Sequence, residues 1–163
     1  MNQVSSYADP LAQDEDQKAR REFLTCRLGE ESYGIDILQV QEIRELESVT
    51  RVPQVSAFVR GVINLRGAIV PIVDLGLMFG FPAPIALDKA SAIVLNVDHR
   101  LVGLVVSSVS DVVALADDEI LPSPDLGERV IARAISGIGV RDGQSVLLLD
   151  VDHLMQRIRE ESR

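Results

Sequence analysis

The chain has 163 residues, which at about 100–200 residues per domain is the content of one. Its 16 Lys and Arg face 25 Asp and Glu, a net charge of −9. With no basic stripe, that balance disfavours nucleic acid and anionic membrane surfaces as partners. Six aromatic residues, none of them Trp, supply no platform for base stacking. The 21 Val and 13 Ile are a β-rich composition.

Residues Met1 to Arg21 hold no apolar signal segment, and no run approaches the roughly 18 apolar residues of a membrane span. They read as a flexible tail on a soluble, cytoplasmic protein. Glu22–Leu28 and Tyr33–Ile37 alternate apolar and polar residues around a turn at Gly29–Ser32, the pattern of a hairpin on a half-buried sheet. Ile35, Leu38 and Glu42 would fit a helical turn, but Val40, Glu42 and Arg44 share one strand face, and a short turn near Leu38 followed by a strand from Val40 to Leu46 is the favoured reading. Gly61–Gly76 reads as two strands about a tight turn at Arg66-Gly67, and Pro71 places the second on an edge or beside a bulge. Phe79–Pro84 is punctuation between two halves. Ala90–Asp98 and Leu101–Val106 form another hairpin, Asp117–Glu119 with Pro122 and Pro124 a loop, and Ile135–Val151 two strands around Asp142-Gly143. Leu154 and Ile158, one helical turn apart, predict a terminal helix over 153–163.

The two halves match each other. Residues 61–75 align with 137–151 at an offset of 76, bringing Gly61 onto Gly137, Gly67 onto Gly143 and Asp74 onto Asp150. The earlier hairpins align at an offset of 69, with Gly34 on Gly103 and Val40-x-Glu42-Ile43 on Val109-x-Asp111-Val112. Two small β units related by a pseudo-two-fold follow, each needing closure or a partner to protect its edges.

Catalytic chemistry finds little purchase. Asp74 and Asp150 occupy equivalent positions, as the paired acids of an aspartic protease do, but neither begins the Asp-Thr/Ser-Gly that fixes such carboxylates. Acids at strand ends that cap the next turn or helix are the plainer reading. No serine sits in a nucleophile elbow, no glycine-rich phosphate cradle occurs, and Cys26, His99 and His153 cannot assemble a metal site. Cys26 lies in an apolar alternation and reads as a buried small hydrophobe. What remains is a polar pair, Glu42 on a strand and Arg66 at a tight turn, where an Arg fork suits carboxylate recognition and Gly67 lets a partner backbone approach. Val40, Ile43 and Leu65 would ring that anchor.

These segments, in particular Tyr33-Gly34-Ile35-Asp36-Ile37, Val40-Gln41-Glu42-Ile43-Arg44, Gly61-Val62-Ile63-Asn64-Leu65-Arg66-Gly67 and Val70-Pro71-Ile72-Val73-Asp74-Leu75, strongly resemble the CheW family of bacterial chemotaxis coupling proteins. The resemblance runs from about Glu22 to Met155. It implies an all-β fold of two packed, five-stranded SH3-like barrels with short helices, the first mainly 22–80 and the second mainly 90–152, within a domain over 22–156. It implies a non-enzymatic adaptor without cofactor or metal, joining the cytoplasmic tip of methyl-accepting chemotaxis receptors to the regulatory domain of the histidine kinase CheA. Rings with other CheW-like molecules, and residence at membrane receptor arrays, belong to the same expectation. By position, Val40, Glu42, Arg66 and Val112 correspond to receptor-coupling residues, and Gly61, Gly67 and Gly103 to interface glycines. Val62, Asn64 and Ile72 mark, loosely, the kinase side. A CheW-like scaffold in another motility or second-messenger pathway is the alternative.

Overall fold

The structure, a computed structural model, describes residues 19–53, 55–123 and 133–161. In chain order the strands are β1 (Arg20–Leu28), β2 (Glu31–Asp36), β3 (Val40–Glu45), β4 (Val59–Leu65) and β5 (Ala68–Asp74), followed by β6 (Ser91–Val97), β7 (Arg100–Val106), β8 (Ser108–Ala116), β9 (Ile120–Pro122), β10 (Ile135–Arg141) and β11 (Gln144–Leu149). Helix α1 (Leu75–Met78) follows β5 and α2 (Val151–Glu161) follows β11. The hairpins stand where the alternation puts them, with Arg66-Gly67 and Asp142-Gly143 in left-handed backbone at their tips. β1 begins at Arg20, inside the expected tail, because Arg20 and Arg21 pair with Ala116 and Leu115 of β8. Residues 1–18 and Pro124 lie outside the described residues. The expected loop before Pro122 is a 3-10 turn at Asp117–Glu119 and then β9.

Two sheets result, ordered β8-β1-β2-β11-β10-β9 and β3-β6-β7-β5-β4. They do not follow the two halves of the chain. The first sheet joins the opening hairpin to residues 108–149, and the second is built wholly from residues 40–106. The division at 22–80 and 90–152 is corrected accordingly. Each half gives its first hairpin to the other half's strands, through the parallel pairs β2·β11 and β7·β5.

Paired geometry bears out the duplication. Gly103 lies opposite Ile72 and Gly34 opposite Leu148, and in both pairs the large side chain fills the space a Cβ would need. The amide of Asp74 donates to the carbonyl of Phe58, and that of Asp150 to Ala134, each at 2.7 Å. Both aspartates then accept from the amide three residues on, Leu77 and His153, at 3.0 Å, and so cap the following helix.

Each sheet curls on itself. Thr50, shortly beyond the outer strand β3, exchanges two backbone bonds (2.9 and 2.8 Å) with Val62 of β4, the opposite edge. In the first sheet β9 continues from the outer strand β8 and pairs with β10 at the far edge. Closure of this kind removes open edges. It leaves β6 and β7 buried on both faces over most of their length, whereas β3 and β8 keep exposed residues. Val70, Val94 and Leu65 fill the second sheet's interior, as Phe23, Leu115 and Leu148 fill the first. Between the sheets lies the main core, where Leu24, Ile35, Val73, Ile93 and Leu104 meet Leu154 and Ile158 of α2. Pro71 is on an interior strand, not an edge. It is tolerated because the ladder of β5 with β7 runs only from Ile72 to Asp74, and because β4 bulges nearby, between Val59 and Gly61.

Candidate functional site

Strand β3 carries an extra residue. Val40 pairs with Leu95 and Glu42 with the adjacent Val94, which leaves Gln41 as a bulge. A bulge re-aims the side chains beside it. The Gln41 side-chain oxygen accepts from Asn96 Nδ2 at 3.1 Å. Across the curl stands the β4–β5 turn, where Arg66 has φ 50° and Gly67 φ 92°. Left-handed backbone disfavours an arginine, and the turn is held by Asn64 Oδ1, which accepts from the Gly67 amide at 2.8 Å. From this tip Arg66 Nη2 donates to Glu42 Oε2, while Arg44 Nη1 lies 3.7 Å from Oε1. The Arg66 hydrogen bond is the main reason the Glu42 carboxyl is held below the ordinary glutamate range. Desolvation opposes it, and the charges of Arg66 and Arg44 and a bond from Gln41 reinforce it. The same bond raises the Arg66 guanidinium.

Val40 is half-buried against the main core, and Glu42 and Arg66 meet beside it. Ile43, Ile69 and Leu38 are exposed on the same sheet or its entry turn, Leu38 to 89 %. Val112 stands on the other sheet, opposite Leu24, on the strand that repeats β3. It and its repeat equivalent Ile43 are each 47 % exposed. A second bulge accompanies it, since β8 shifts register against β1 between Leu24 and Cys26. Single exposed apolar residues are ordinary, whereas Arg is enriched among the anchors of docking surfaces.

Other expected positions sit elsewhere. Ile72 is fully buried inside the second sheet and presents nothing to a partner. Leu65 is buried too, beneath the turn rather than around it. Gly61 and Gly103 are buried, and their missing Cβ atoms make room within the fold, for the Thr50 carbonyl and for Ile72 respectively. Gly67 alone of the three opens to solvent. Val62 is half-buried in the bridge to Thr50, and Asn64 is exposed at the turn.

Sequence reasoning missed a buried ion pair. Asp74 is wholly buried, and its Oδ2 accepts from Arg60 Nη1 and from the Ile85 amide, both at 2.9 Å. Arg60 Nη1 also donates to the Ile85 carbonyl at 2.8 Å, so the segment between the halves is latched to β4 and β5. No pattern in the sequence marks it; a lone Arg in β4 reads as surface. The Asp74 carboxylate is thereby engaged by structural donors. Cys26 is buried, and desolvation pushes its thiol up to about 12. Among the described residues no three His, Cys, Asp or Glu gather to hold a metal ion, and no helix is long and apolar enough to cross a membrane.

Residues 22–159 match the CheW-like domain. The chain is 42 % identical over 135 residues to the chemotaxis protein CheW of Klebsiella aerogenes, covering 83 % of this chain and 81 % of that one. It is 36 % identical over 145 residues to the chemotaxis protein CheW of Rhizobium meliloti, covering 87 % and 92 %. The crystal structure of the scaffolding protein TtCheW from Thermoanaerobacter tengcongensis superposes with a TM-score of 0.74 at 29 % identity, over 81 % of this chain and 90 % of that one. With a family match over residues 22–159 and 42 % identity to a curated member along most of its length, the chain belongs to the CheW-like domain family.

Proposed function

We propose that this protein is a non-enzymatic adaptor of chemotaxis signalling that couples methyl-accepting receptors to the histidine kinase CheA. The observation that carries the reading is the CheW-like match over residues 22–159, nearly all of the described fold. The geometry accords with it, because the chemistry on offer is surface: the Glu42–Arg66 pair, the exposed Ile43, Ile69 and Leu38 of the same sheet and its entry turn, and Val112 on the repeated strand. Val40, Glu42, Arg66 and Val112 are assigned to receptor engagement. Val62 and Asn64 are assigned, more loosely, to the kinase side.

The mechanism is linkage. An adaptor that holds receptor and kinase together stabilises one kinase state, and a change in the receptor shifts that population. Tethering raises effective concentration, so modest individual affinities suffice for arrays at the cytoplasmic face of the membrane. The test is co-sedimentation of the purified chain and CheA with membranes carrying a chemotaxis receptor of the same genome, read together with kinase phosphorylation. Kinase that pellets and is stimulated only when the chain is present supports coupling. Sedimentation and phosphorylation indifferent to the chain would overturn it.

A further inference from the structure

Along helix α2 the second sheet leaves a groove of about 440 Å³, floored by Val62 and Pro71 of the β4–β5 hairpin, Leu101 of β7, and Met155 and Ile158 of the helix. Its rim carries Arg100 and Arg159, both exposed, and neither makes a hydrogen bond or ion pair among the described residues. Toward the start of α2 the lining turns polar, where Asp98, Asp152 and Gln156 stand beyond the same two arginines. From one end to the other the groove is apolar, then cationic, then anionic. On a chain of net charge −9, unpaired guanidiniums above an apolar floor suit an acidic segment with apolar anchors. Residues 1–18 carry that pattern in the same order: Val4, Tyr7 and Leu11, then Asp14, Glu15 and Asp16, then Lys18. Their root is on the matching side. Arg21 donates to Asp36 at 3.3 Å, Val40 shortly after pairs with Leu95, and β6 runs on to Val97, opposite Arg100. Eighteen extended residues span up to ~60 Å, against a radius of gyration of ~15 Å for a chain of this size, so the groove is within reach. We infer that residues 1–18 fold back into this groove, with Val4, Tyr7 and Leu11 on the apolar floor, Asp14, Glu15 and Asp16 at Arg100 and Arg159, and Lys18 toward Asp98 and Asp152. Pro10 keeps a single helix from running through all three anchors, so the segment docks as an irregular peptide. Tethering makes even a weak contact sufficient, and a partner that uses the groove has to displace the segment.

The experiment uses the full chain. Cys26, the one native cysteine, is buried, so Ser6→Cys takes a nitroxide label at a single place, and methyl NMR reads which side chains the label approaches. The Met155 and Ile158 signals are lost, while those of Val112 and Leu121, exposed on the first sheet, persist. Even dimming of all exposed methyls, or dimming centred on the first sheet, would overturn the inference. Arg100→Glu/Arg159→Glu restores the Met155 and Ile158 signals. That change sits on the fold itself, so Asp14→Asn/Glu15→Gln/Asp16→Asn, outside the described residues, must restore them as well. Signals that stay lost in either variant break the charge pairing, and the inference goes with it. Loss of signal in isotope-labelled chains mixed with separate nitroxide-labelled ones puts the segment on a second copy and overturns the intramolecular placement.

Discussion

Arg66 and Glu42 join two elements from opposite ends of the second sheet: the turn between β4 and β5, and the outer strand β3. In a flat sheet with strands about 4.8 Å apart, outer strands in a row of five would lie roughly 19 Å from each other. The contact exists because the sheet curls, and it sits where the curl closes. Folding lowers the Glu42 pKa. The pair's contribution is therefore full above the ordinary glutamate range and is lost as pH falls through the depressed value. Arg66→Ala raises the Glu42 midpoint toward that of an ordinary glutamate, which carbon-detected NMR titration follows residue by residue. The melting temperature at neutral pH scarcely moves, because the pair is exposed to water.

The latch at Asp74 can be separated from its capping role. Asn caps a helix almost as well as Asp, so Asp74→Asn keeps the bond from Leu77 while it replaces Oδ2, the acceptor for Arg60 and the Ile85 amide, with a neutral NH2 donor. A half-broken buried pair costs about 3 kcal/mol, and urea unfolding should register a loss of that order. The repeat provides the control, for Asp150 caps α2 in the same way. Asp150→Asn should cost less than about 0.5 kcal/mol. Equal losses at the two positions would mean that the bonds from Arg60 and the Ile85 amide contribute nothing beyond the cap.

Gly61 and Gly67 both have positive φ, 142° and 92°, but only Gly61 faces an obstacle, the Thr50 carbonyl. Gly67→Ala carries the backbone cost alone, about 1 kcal/mol. Gly61→Ala adds a collision with backbone that must break the bridge to Val62, and should cost at least about 2 kcal/mol. Chemical denaturation of the two variants side by side distinguishes them.

Cys26, buried and with its thiol raised to about 12, is thiol and not thiolate at any physiological pH. A disulfide reagent at pH 8 should leave it unmodified in the native chain and label it at the rate of unfolding. Prompt labelling would place the sulfur within reach of solvent.

Much of this architecture was legible in the chain. Alternation marks the hairpins, since half-buried strands must alternate, and Arg66-Gly67 and Asp142-Gly143 mark turns because few dipeptides accept two left-handed residues. The repeat predicted equivalent glycines and capping aspartates, and both pairs are found. Pairing partners were less accessible. Nothing in the alternation of β1 says that it neighbours β8, so the exchange of hairpins between halves escaped. Ile72 looked available because a strand buried on both faces has no polar side to show which residues point inward. The sequence brought Glu42 and Arg66 under suspicion as a pair, whereas the Gln41 bulge that aims Glu42 leaves no mark in composition or period.

The nesting of the second sheet has a temporal side. Once Val106 has left the ribosome, every strand of that sheet is present, and it can close while synthesis continues. The opening hairpin has no such company. Its neighbours β8 and β11 are made after everything it encloses, so for that interval it waits with both flanks bare, the first hairpin made and the last to be housed.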